Sequence, residues 1–178
     1  MTIQATTIDT TPADVFRAGH FVPDDWRRLA DDEIIPADGK VFLSVGRFLA
    51  DAEAGALGNR PVGVLIEPAD RVAPLVPHLD RLTAIAIDFP KFADGRGFSH
   101  AALLKRHGFA GEIRAVGNVL IDQITHMRRV GFTAFAVTHA LTRRYLTEGR
   151  DPAPKHYYQP GAGDEVPAGT RPWLRKLA

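Results

Sequence analysis

The chain has 178 residues, 45% of them hydrophobic and 24% charged, a formal net charge of +1 and no cysteine. That length fits one domain with a full core, and no apolar run reaches the ~18–20 residues of a membrane span. Without cysteine there are no disulfides, thiolate zinc sites, cysteine-ligated iron–sulfur clusters or thiol catalysis.

The first residues, Met1-Thr2-Ile3-Gln4-Ala5, show neither the basic patch nor the apolar stretch of a signal peptide, so a soluble, cytoplasmic protein is expected. The small net charge hides an asymmetry. Residues 1–90 carry 8 Lys/Arg and 14 Asp/Glu, whereas residues 91–150 carry 10 and 4. A basic second half suits an anionic ligand or an acidic protein surface, or else the charges mix on the surface of one domain. The basic residues form no dense run and are not interleaved with aromatics, which argues against nucleic acid.

Three segments are expected: an irregular acidic arm (1–39), an α/β domain (40–148) and a Pro/Gly-rich tail (149–178). Thr11-Pro12-Ala13-Asp14 reads as a helix start, and Asp24–Leu29 as a short helix or irregular arm. Val41–Val45 is a β-rich run, and Arg47–Leu57 has helical character that stops at Gly58-Asn59. Val62–Ile66, between Pro61 and Pro68, reads as a strand buried on both faces. Asp70 opens a helix with apolar residues at Val72, Leu75, Val76 and Leu79. Thr83–Ile87 is a further strand. Ser99 is expected to cap a helix over His100–His107. Glu112–Val116 and Phe132–Val137 are strands on either side of a helix over Asn118–Arg129, and Thr138 is expected to cap a last helix to Leu146 or Glu148. Five βα units in a mostly parallel sheet result, either open and doubly wound or curled like part of a βα barrel. In the tail, Tyr157, Tyr158 and Trp173 suggest an arm that docks by its aromatics, plausibly across a homodimer.

Ligands of such sheets collect beyond the carboxyl ends of the strands, which places Glu67, Asp88, Gly117 and Thr138-His139 on one edge. Glu67 and Asp88 are the candidate acid/base pair. Asp94-Gly95-Arg96-Gly97-Phe98-Ser99 places two glycines and a guanidinium before a helix, so Arg96, Gly97 and Ser99 are candidates for anion binding. The same segment also fits a surface turn. Arg114, inside a strand, needs a partner: it is either a ligand clamp or half of an internal ion pair, with Asp88 the nearest carboxylate. The seven histidines form no ligand set, so no metal site is expected, and no flavin or nicotinamide fingerprint or other cofactor motif is evident.

The segments Phe89-Pro90-x-Phe92-x-Asp94-Gly95-Arg96-Gly97-Phe98-Ser99, Gly111–Gln123 (with Gly117, Asp122 and Gln123), Arg129–Phe135 and Tyr158-Gln159 resemble a bacterial family of unknown function. Its members are labelled oxidoreductases of sulfite reduction, and their genes lie beside those for sulfite reductase. The resemblance covers about residues 40–160. The family often has Tyr, Asp and Cys where this chain has Phe98, Asn118 and Val130, so those positions carry no indispensable role here. The resemblance implies an accessory protein of assimilatory sulfite reduction that binds an oxyanion or sulfite reductase through a basic strand-end edge. The alternatives are a small α/β enzyme whose anionic substrate is held by Arg96 and Arg114, and a dimeric interaction module without a small ligand.

Overall fold

In the computed structural model, residues 14–150 are described. Eight strands pair into one sheet: β1 (Asp14–Arg17), β2 (His20–Pro23), β3 (Trp26–Arg28), β4 (Lys40–Ser44), β5 (Val62–Ile66), β6 (Leu82–Phe89), β7 (Glu112–Gly117) and β8 (Ala134–Phe135). Their order is β2-β1-β8-β7-β6-β5-β4-β3. Neighbours from β3 to β8 are parallel, and β1 lies antiparallel to both β2 and β8. Between the strands lie α1 (Val45–Glu53), a 3-10 helix (Ala73–Arg81), α2 (Arg96–Arg106) and α3 (Ile121–Val130); α4 (Ala140–Thr147) follows β8. No helix among the described residues is long and apolar enough to cross a membrane.

The α/β class holds, but the doubly wound alternative does not. Order never reverses from β3 to β8, so there is no switch point of the kind that defines a doubly wound sheet. The sheet also curls. β2 and β3 stand at opposite ends of the strand order, yet only Asp24 and Asp25 separate them in the chain. Three Cα–Cα steps of 3.80 Å cannot span more than about 11 Å, so the two ends of the sheet approach each other as in a barrel.

Side chains alternate across this curled sheet. Val41, Leu43, Val64, Ile66, Ile85, Ile87 and Ile113 belong to the large core that also takes in helical Phe48, Leu104, Ile124 and Met127. The opposite face, the inside of the curl, has a smaller cluster of Trp26, Phe42, Leu65, Ala84 and Ala86. The Trp26 and Phe42 rings stack at 4.5 Å. Gly63 makes room for them, since a Cβ there would lie 2.5 Å from the Phe42 ring.

Several local expectations are corrected. Asp14 opens a strand rather than a helical turn: Val15 and Phe16 are buried, and Ala18 and Gly19 both take positive φ in the turn to β2, as in a type I′ two-residue hairpin. Thr11–Ala13 lie outside the described residues. Trp26–Arg28, inside the expected irregular arm, is a strand because it pairs with β4. The Val72–Leu79 stripe winds as a 3-10 helix, because Pro77 inside it lacks the N–H of an α-helical bond. Asp94 accepts the Arg96 N–H, so α2 starts at Arg96 with Gly95 at its N-cap and Ser99 already inside the helix. The last helix is capped by His139, whose ring accepts the Thr142 N–H, and not by Thr138. The expected docking of Tyr157, Tyr158 and Trp173 lies outside the described residues.

Candidate functional site

A cavity of about 1080 Å³ opens at the C-terminal strand ends. Its floor is the apolar cluster on the inner face, including Trp26, Phe42 and Leu65, and Glu67, Asp88, Gly117, Asn118 and Thr138 stand at its rim. The loop after β3 adds Asp31 and Glu33. Alternation explains the placement. Ser44, Glu67, Asp88 and Thr138 share the inner face of their strands, or its extension, with Phe42, Leu65, Ala86 and Ala136.

Below the rim, Arg114 is 1% exposed and Asp24 2%. The Arg114 Nη1 donates to Asp24 Oδ2 at 2.6 Å and its Nε to Glu112 Oε1 at 2.9 Å, while the guanidinium lies 5.3 Å from the Phe42 ring. Arg17 adds a second cation to Glu112 at 3.3 Å. Arg114 therefore has its partner, but not the expected Asp88. In register it aligns with Ala86, two residues short of Asp88, and the curl brings the β2–β3 link within its reach. This favours the internal ion pair over the ligand clamp.

Asp88 is half-buried. Burial is the main force raising its carboxyl above the ordinary range, with the charge of Glu67 adding to it and Arg28 and the Phe89 N–H opposing it. Glu67 itself pairs with Arg28 at 3.3 Å. Because the folded-state value is raised, ionised Asp88 costs stability above the ordinary carboxylate range, and the cost is relieved as pH falls through the folded value. Asp88→Asn should therefore raise the melting temperature by a few degrees at pH 7 and lose that advantage near about pH 4. Thermal scans at the two pH values check this; an equal gain at both would show that charge is not the cause.

The remaining sequence candidates fall elsewhere. Arg96 forks onto Asp94 at 2.9 and 2.6 Å, an ion pair that holds the Asp94 carboxyl at about 2 and raises Arg96. Asp94 is thus itself the anion at the start of α2. Arg96, Gly97 and Ser99 do not line the cavity. Gly97 is buried where a Cβ would lie 2.5 Å from the Phe89 ring. Gln123 is a positioning residue: its Oε1 accepts the Leu120 N–H at 3.2 Å and its Nε2 donates to the Phe92 carbonyl at 3.2 Å. Asp122 is exposed in the first turn of α3. Phe98 packs on Phe89 and His126. The expected basic edge is acidic: six carboxylates and two arginines, Arg28 and Arg114, line the mouth among the described residues. Sequence reasoning missed Asp24, Trp26, Arg28 and the Asp31 loop, which carry no local motif: Trp26 and Arg28 reach the site because β3 pairs with β4, and Asp24 meets Arg114 through the curl.

Residues 63–168 match a family described as a bacterial protein of unknown function, DUF934. The chain belongs to this family. Its matched span includes Glu67, Asp88, Arg114 and Gly117, whereas Asp24, Trp26, Arg28 and Phe42 precede it. No curated protein matches the chain.

Proposed function

We propose that this chain is an accessory protein of assimilatory sulfite reduction that works through the barrel mouth, by receiving a positively charged segment of sulfite reductase. The pathway is supported by the resemblance carried by Phe89–Ser99, Gly111–Gln123 and Arg129–Phe135. The mode of binding is supported by one observation above all: with the buried Asp24–Arg114 pair set aside, the mouth keeps Asp31, Glu33, Glu67, Asp70 and Asp88 against Arg28 among its lining residues. Such a field repels free sulfite or sulfate and attracts lysine and arginine side chains. Recovery of sulfite reductase with the tagged chain from the native cell tests this. Wild type should retain it, and Glu67→Lys with Asp31→Lys should lose most of it. Equal recovery would place the contact elsewhere, and no recovery with wild type would end the accessory reading.

A second reading, a small α/β enzyme, is favoured by Asp88. A half-buried carboxyl raised by burial and by a neighbouring carboxylate is the kind of group that exchanges a proton with a substrate. Its substrate would be cationic or neutral, because Arg96 and Arg114 are both committed to carboxylates. Turnover lost in Asp88→Asn with sulfite reductase recovery unchanged would select this reading.

A further inference from the structure

The mouth is apolar as well as acidic: Trp26, Phe42 and Leu65 line it together with the carboxylates. Among the described residues four large hydrophobic side chains are exposed, and three of them, Ile34 after β3, Phe92 after β6 and Leu141 in the first turn of α4, follow C-terminal strand ends without lining the cavity itself. Ile34 is 88% exposed. Inside, the Trp26–Phe42 stack lies under the cavity. A surface of this kind takes a segment that alternates cations with aromatic or aliphatic anchors.

This chain contains such a segment. Arg171-Pro172-Trp173-Leu174-Arg175-Lys176-Leu177 has three cations and three large apolar residues, and no acid follows Glu165 in the given sequence. It lies beyond the residues matched by the family. We propose that Arg171–Leu177 docks in the mouth of its own chain, Trp173 toward the apolar floor and Arg171, Arg175 and Lys176 toward the rim carboxylates, as a built-in competitor for the mouth's partner. The competition rests on the function proposed above; the docking does not.

The chain is long enough for this. α4 starts next to Thr138 at the rim and has eight residues, so it carries the chain only about 12 Å away. The twenty residues from 151 to 170 span up to roughly 70 Å when extended and have a typical end-to-end distance of about 25 Å as a coil. Charge complementarity selects the site. The only other long stretch outside the described residues, 1–13, has one charged side chain, Asp9, and it is acidic.

The full chain has two tryptophans and no cysteine, which makes the test direct. Trp26 belongs to the proposed docking floor and is kept, so the signal of Trp173 is read as the difference between a chain and its Trp173→Phe variant. The Trp173 emission should be blue-shifted and its quenching by acrylamide several-fold weaker than in the same chain with Glu67→Lys and Asp31→Lys. Solvent-like emission and quenching in both proteins would overturn the docking. Separately, Asn118→Cys with Leu174→Cys should form a disulfide within one chain under mild oxidation. A disulfide only between chains would overturn docking within one molecule and point to a second copy as the occupant. Neither readout depends on sulfite reductase, so a failed co-purification leaves them standing, and their failure leaves that experiment standing.

Discussion

Arg114→Met should destabilise the protein by about 3–5 kcal/mol, the usual cost of removing one partner of a buried ion pair. For a domain of this size that corresponds to roughly 6–20 °C in melting temperature. The reason lies in what remains. Asp24, with a side chain 2% exposed, loses its 2.6 Å partner, and Glu112 keeps Arg17 at 3.3 Å. The contact also ties the β2–β3 link to β7 across the inside of the curl, so its loss loosens closure as well as charge balance. Asp24→Asn combined with Arg114→Met should recover part of the loss, giving a coupling of about 1–3 kcal/mol in a double-mutant cycle. Urea denaturation followed by circular dichroism measures all four corners. An Arg114→Met cost within about 0.5 kcal/mol, typical of an ordinary surface change, would show that the pair does not hold the fold.

Gly117→Ala should cost about 2–5 kcal/mol and distort the mouth. Gly117 has φ +86, where an L side chain is strained by about 1–2 kcal/mol. Its position is also crowded: a Cβ would lie 2.6 Å from Asp88 Oδ1 and 2.7 Å from the Phe89 carbonyl oxygen. That carbonyl accepts the Asn118 N–H at 2.7 Å, so backbone cannot give way without parting the ends of β6 and β7. Overpacking of this kind adds roughly 1–3 kcal/mol. Gly95→Ala is the control, since nothing lies within 4 Å of its Cβ position and its φ is −82. Thermal and urea unfolding of both variants check the contrast. Equal stabilities would mean that the β6–β7 end tolerates the methyl group.

The candidate site shows how far strand-end reasoning carries. Glu67, Asp88, Gly117 and Thr138-His139 are expected on one edge because each follows or ends an apolar run; Glu67, Asp88, Gly117 and Thr138 line the cavity, whereas His139 does not and caps α4 instead. Arg96 was grouped with them because it sits beside the same edge in sequence. It is instead neutralised by Asp94 two residues away, and that local ion pair also moved the helix start from Ser99 to Arg96. Val72, Leu75, Val76 and Leu79 have α-helical spacing, but Pro77 in the same segment carries no N–H for an α-helical bond, and the segment winds as a 3-10 helix.

By itself, the sequence determined β5 and the Ala84–Ile87 stretch of β6, because strands buried on both faces are apolar along their length; it showed β7 as a shorter run around Arg114, α2 through its glycine stop and α3 through helical spacing. The curl, and with it the site's lower wall, was decided only in the tertiary structure. β1, β2 and β3 have three or four residues each and too little apolar surface to declare themselves; they exist because β8 and β4 offer free edges. Asp24 and Arg114 are 90 residues apart, and only a sheet whose two ends are joined by Asp24-Asp25 brings that carboxylate to that guanidinium. Period and spacing report which face a residue occupies. They carry no information about which distant face it will meet, because that depends on the closure of the whole sheet.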